Sequence, residues 1–165
     1  MAQISSSQAI SIIESMLDLL YEKDNFLMQR KLNITERAVT HRMGMYLQQL
    51  LPDFHVDCEY NRMGRKTIYG VEYTDGDYFA KTICLSEGSV PDDDDEGSRV
   101  FPDIIVHRRG TDENYIIIEV KIDWKSGRAN RDMKKLIAYK KDLHYDHACY
   151  VQLTEDRKGV RIEFI

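Results

Sequence analysis

The 165-residue chain is expected to fold as an α/β domain, a mixed β-sheet flanked by helices. Three observations predict it: two helix-period segments in the first third, apolar strand-period runs from residue 101 onward, and one helical segment between the third core strand and the last strand pair. The first helix is expected over 6–22. Ser5 and Gln8 form a capping-box signal, and Ile10, Ile13, Leu17 and Leu20 recur at helical spacing. A polar break at 23–25 precedes a short ambiguous piece, 26–31. A second helix is expected over 34–51, with Asn33 as its cap, Pro52 just past its end, and a buried stripe of Val39, Met43, Tyr46, Leu47 and Leu50. Residues 54–60 alternate as a strand, with Phe54, Val56, Cys58 and Tyr60 on one side and His55, Asp57 and Glu59 on the other.

Residues 62–99 read as an insertion within a single domain spanning 1–165, with 67–71 and 78–85 pairing as a hairpin around 74–77. Next come two runs rich in Ile, Val, Phe and Tyr, FPDIIVHRRG and NYIIIEVKID, separated by turn formers Gly110, Asp112 and Asn114. A helix over 129–143, burying Met133, Leu136, Ile137 and Leu143, separates them from strands 148–153 and 160–165. The intervening helix lets 148–153 run parallel to the core.

Composition narrows the function. With 42% hydrophobic and 31% charged residues the chain is that of a soluble globular protein, and no apolar run is long enough to span a membrane. The N-terminus lacks the pattern of a secretory signal, and three widely spaced cysteines fit buried thiols in a cytoplasmic protein. The net charge of −5 argues against an indiscriminate polyanion binder. However, an acidic run at 92–96 carries much of it, while residues 121–141 hold eight basic side chains against two acidic ones.

The hairpin carries the chemistry. A loop centred on Thr111 makes residues whose numbers sum to 222 face each other: Asp103 with Glu119, Ile105 with Ile117, His107 with Tyr115. Opposed Cβ atoms lie about 4.5–5.5 Å apart, so the two carboxylates repel unless a cation joins them. Lys121, two beyond Glu119, shares its face. The strand before Glu119 is apolar on both alternations, as in a central strand covered on both sides. Polar groups on such a strand need partners or a ligand. A metal-binding acid pair beside an ammonium suits attack on a phosphate ester; a solvated Glu-x-Lys face is the plainer alternative.

A helix bearing Glu36, a strand, Pro102-Asp103 on the next, Glu119-Val120-Lys121 on the one after, and then a basic helix together resemble the PD-(D/E)XK nuclease superfamily. FPDIIVHRRG and NYIIIEVK are similar to segments of its small stand-alone bacterial and phage members. The resemblance covers roughly residues 33–153 and implies a restriction-endonuclease-like fold with an α-β-β-β-α-β core. By position it implies Asp103 and Glu119 as ligands of Mg²⁺, with Mn²⁺ as a substitute, and the Val120 carbonyl as a further ligand. Lys121 would orient or activate water, and Glu36 would act through water or on a second ion. The expected reaction is phosphodiester hydrolysis leaving a 5′-phosphate, on DNA ahead of RNA, and a homodimer is compatible with it.

Lys125, Arg128, Arg131, Lys134 and Lys135 are the expected nucleic-acid contacts. Alternatives stay open at several residues. Glu36 also fits the third helical position of a capping box begun by Asn33. Arg42 fits a phosphate contact or a surface ion pair, and His107 fits the cleft or the core. Arg108 and Arg109 fit the turn or its phosphate surroundings. Asp57 and Glu59 fit the metal site or a solvated face, Tyr139 fits base stacking or packing, and Trp124 fits packing. Two rival functions remain: an inactive binding module of the same fold, and an interaction protein whose acidic loop imitates nucleic acid.

Overall fold

A computed structural model describes residues 4–63, 66–68, 71–73, 79–80, 82–83, 98–99, 101–125 and 129–165. Helix α1 (Ser6–Asp24) starts in the expected capping box, where the Ser5 hydroxyl accepts from the Gln8 amide and the Gln8 side chain returns to the Ser5 amide. It runs two residues past the expected end. Asp24 is drawn in by Arg42 Nε at 2.6 Å and the Tyr46 hydroxyl at 2.5 Å, so Arg42 serves an ion pair between the helices. Two 3₁₀ turns, Asn25–Met28 and Arg30–Leu32, fill the ambiguous stretch.

Helix α2 (Glu36–Leu50) begins later than expected. Asn33 instead adopts a left-handed conformation (φ 47°) that ends the preceding turn, and Thr35 is the cap, its hydroxyl accepting from the Ala38 amide. Glu36 therefore occupies the first helical position, not the third of a capping box.

Strand β1 (His55–Cys58) is followed by short strands of the insertion: β2 (Arg62–Met63), β3 (Lys66–Ile68), β4 (Val71–Tyr73), β5 (Phe79–Ala80), β6 (Thr82–Ile83) and β7 (Ser98–Arg99). Among the described residues the expected pairing of 67–71 with 78–85 is not found. Instead β3 pairs with β4, β2 with β5 and β6 with β7. The acidic run at 92–96 and Cys84 lie outside the described residues. The remaining elements are β8 (Ile104–His107), β9 (Asn114–Ile122), α3 (Ala129–Leu143), β10 (His147–Leu153) and β11 (Arg161–Phe164).

Five strands form one mixed sheet in the order β1-β8-β9-β10-β11. β9 and β10 are parallel, as the helix between them requires, and the other neighbours are antiparallel. Among the described residues three α-helices cover the sheet, and none is long and apolar enough to cross a membrane.

Both faces of β9 are covered. Ile116, Ile118, Val120 and Ile122 pack with Met16, Leu17, Leu20, Val39, Met43 and Leu47 of α1 and α2. Ile117 packs with Ile105 and with Leu136, Tyr139 and Leu143 of α3. Each such aliphatic side chain contributes about 1.5–3 kcal/mol by leaving water. Gly44 lets α2 approach β1: a Cβ there would meet Cys58 Sγ at 2.8 Å. Cys149 is buried and Cys58 half-buried, both free, and burial pushes their thiols up to about 12 and about 11, as expected of unreactive packing cysteines.

Four expectations about side-chain direction or register are corrected. Leu50, expected in the buried stripe of α2, is exposed in its last turn. Ile137 is exposed, and Tyr139 takes the buried place on α3, because the helix face follows 132, 136, 139 and 143. Tyr60 packs on the α3 side, apart from Phe54, Val56 and Cys58, since Glu59 at φ 53° reverses the alternation. His107 pairs with Asn114, not Tyr115, because a bulge between Val106 and His107 shifts the register by one.

Candidate active site

The β8–β9 ladder keeps the expected register through Val106–Ile116, Ile105–Ile117 and Ile104–Ile118. There it stops. Asp103 lies one residue before the ladder, and its side chain supplies what the backbone no longer does: Oδ2 accepts from the Val120 amide at 2.7 Å. The backbone pair Asp103–Glu119 is thus absent, but both carboxylates stand at this end of the hairpin and Asp103 bears electrostatically on Glu119.

Glu119 is 3% exposed, and its Oε1 has no hydrogen-bond partner of normal geometry among the described residues. Burial first, and then the Asp103 charge, push its pKa up to about 8 against the opposing pull of Lys135. Tyr139 lies beside it, near enough for the two ionisations to influence each other without a hydrogen bond of normal geometry. Asp103 is also raised, by burial above all, with the Val120 amide and the nearby lysines pulling back.

Glu36 reaches this end of the sheet from the start of α2. Its Oε1 accepts from the Ile122 amide at 3.2 Å and its Oε2 from Lys121 Nζ at 3.3 Å, so one carboxylate clasps both backbone and side chain of β9. Lys125 fastens the same junction by donating to the Ile34 carbonyl. Lys121 also lies 3.6 Å from Asp132 on α3. Burial opposes its charge, but Asp132 and Glu36 outweigh that and raise its pKa.

Asp132, 5% exposed, is 3.7 Å from Lys135, which in turn stands 3.8 Å from Glu119 Oε2. The result is an alternating chain, Glu36–Lys121–Asp132–Lys135–Glu119, with Asp103 alongside. With every group ionised, four carboxylates against two ammonium groups leave two negative charges, the complement of one divalent cation. Among the described residues no three His, Cys, Asp or Glu side chains form a ready cage.

The other predicted residues are placed elsewhere. Asp57 and Glu59 do not join this group. Asp57 is engaged by His107 Nε2 at 2.8 Å and by both Nε and Nη2 of Arg109, while Glu59 meets Arg37 at 2.8 Å. His107 is accordingly buried, and Arg108 pairs with Glu113 across the turn at 3.0 Å. Trp124 packs against the core on the α1–α2 side.

Of the five basic residues, Lys134 is exposed on α3, Lys135 turns inward, and Lys125 is spent on Ile34. Arg131 lies in the first turn of α3 and Arg128 lies outside the described residues. Asp132 had no role in the sequence reading. The available signal was an acid on the α3 stripe that also carries Leu136, Tyr139 and Leu143. No protein-family model, curated protein or solved structure matches this chain.

Proposed function

We propose that this protein is a Mg²⁺-dependent nuclease of restriction-endonuclease-like fold, hydrolysing phosphodiester bonds of DNA ahead of RNA. The observation that carries the reading is Glu119. A carboxylate drawn out of water, with one oxygen unpartnered and a second acid next to it, is an unfavourable arrangement for a purely structural group. A divalent cation would relieve both faults at once. The order α2-β1-β8-β9-α3-β10 also follows the α-β-β-β-α-β core of that superfamily.

The donor set fits the ion. Asp103 and Glu119 would hold it, the Val120 carbonyl would add a ligand, and Glu36 would act through water. When bound, Mg²⁺ polarises a phosphate oxygen and acidifies a water. The chain's own contribution is placement and charge. Lys121, kept cationic by Glu36 and Asp132, would orient the attacking water and offset charge building on the phosphate.

A cleavage panel tests this: single-stranded, double-stranded and branched DNA plus RNA, each with Mg²⁺ or Mn²⁺, wild type beside Glu119→Ala. Divalent-dependent cleavage by wild type alone is expected. If no substrate is cut and calorimetry detects no cation binding, the nuclease reading fails. Cation binding without cleavage would instead mark an inactive module.

A further inference from the structure

Lys135 stands between two acids without committing to either. Its ammonium is 3.8 Å from Glu119 Oε2 and 3.7 Å from Asp132 Oδ1, both too long for a hydrogen bond. Asp132 and Lys135 are three apart on α3, so they share a face. The second oxygen of Asp132 is buried, and although Lys121 lies 3.6 Å away it too has no hydrogen bond. Asp132 therefore has unused capacity to take an ammonium, and Lys135 can shift toward it without breaking a hydrogen bond. Glu119, meanwhile, has Lys135 as its one ion-pair partner among the described residues.

We propose that the Lys135 ammonium is the resident cation beside Glu119 in the metal-free protein, standing where a divalent cation's charge would fall, and that Asp132 is the positioning residue that draws it aside when a divalent cation binds. The proposal rests on the metal-site reading above. It removes Lys135 from the residues that track a nucleic-acid backbone and makes it an internal competitor of the cation, restrained by Asp132.

Isothermal calorimetry with Mg²⁺ alone tests it, with no substrate present. A full charge about 4 Å from a ligand weighs tenfold or more on cation affinity, so Lys135→Met should bind Mg²⁺ about tenfold tighter than wild type. Lys134→Met makes the same charge change at the exposed neighbour and should alter affinity less than about twofold. Asp132→Asn should bind about tenfold weaker in the wild-type background, but no more than about threefold weaker in Lys135→Met, because the competitor it restrains is gone.

Unchanged or weaker binding by Lys135→Met overturns the proposal. So do equal shifts for Lys134→Met and Lys135→Met, or the same loss from Asp132→Asn in both backgrounds. Thermal melts accompany each variant, and should Asp132→Asn fail to fold, the two lysine variants decide alone. If neither wild type nor Lys135→Met takes up Mg²⁺ or Mn²⁺, the metal-site reading itself fails.

Discussion

On the α3 side of the sheet, Asp57 and Glu119 are both carboxylates drawn out of water, yet their surroundings differ. Asp57 accepts from His107 Nε2 and from two nitrogens of Arg109. Burial works against its charge, but those bonds and the arginine charge win and hold its carboxyl well below the usual carboxylate range. Glu119 is buried with an acid as neighbour, one distant ammonium, and an oxygen near which only Tyr139 stands among the described residues, so its pKa rises to about 8. The same residue class on one face of one sheet is closed in the first case and left open in the second. A closed ion network is explained by folding alone; an open one asks for a ligand.

Four substitutions break or sharpen this contrast. The largest effect is expected at the open cluster: Lys121→Ala should lower cleavage by about a thousandfold, roughly 4 kcal/mol, with Mg²⁺ binding largely retained. Glu119→Ala should lose both cleavage and Mg²⁺ binding. Cleavage assays beside calorimetry check this, and wild-type rates in both variants would remove the catalytic assignment.

Next comes the closed cluster. Asp57→Ala removes the buried carboxylate that His107 and Arg109 share and should destabilise the fold by about 3 kcal/mol in thermal or denaturant melts. Because the folded pKa of Asp57 is depressed, its contribution is present above the unfolded carboxylate range and lost as pH falls toward the folded value. Cation affinity per folded molecule should stay at the wild-type level. A loss of Mg²⁺ binding equal to that of Glu119→Ala would merge the two clusters.

The smallest effect has the opposite sign. Folded, Glu119 keeps its proton up to about pH 8; unfolded, it releases it near the ordinary glutamate value of 4.5. Between those values the folded metal-free protein binds more protons, so its stability falls as pH rises through the window. Glu119→Gln never ionises and should exceed wild type by about 2 kcal/mol at about pH 9, with no advantage below about pH 4. Melts in chelator across that range measure the difference. Destabilisation by Glu119→Gln at high pH would show that Glu119 belongs to a satisfied ion network after all.

Local signals carried much of the site into view. The capping box at Ser5 and Gln8 and the strand alternation around Ile105 and Ile117 each act over a few residues, and each formed as expected; the turn formed between the same two strands, one residue off at His107. Because the turn sets the register, Asp103 and Glu119 arrive at the same end of the hairpin from sequence alone. Errors arose where a single backbone angle or bulge intervened. Asn33 and Glu59 in left-handed conformations moved the start of α2 and turned Tyr60 over, and the bulge at Val106–His107 slipped one pair. Such positions carry no hydrophobic period to announce them.

What the amino-acid order determined by itself is the set of core helices and strands and the near-neighbour geometry of the hairpin, since caps, turns and alternation are short-range. The docking of α3 on the sheet was left to the tertiary structure, and with it the identity of the groups that complete the site. Asp132 and Lys135 reach Lys121 and Glu119 because Leu136, Tyr139 and Leu143 bury against Ile105 and Ile117. Hydrophobic burial is non-directional and names no partner in advance. Likewise Asp57 finds Arg109 only because β1 lies beside β8 across some fifty residues of chain. Whether a buried acid ends up closed or open thus follows from which strands and helices meet, not from the residues on either side of it.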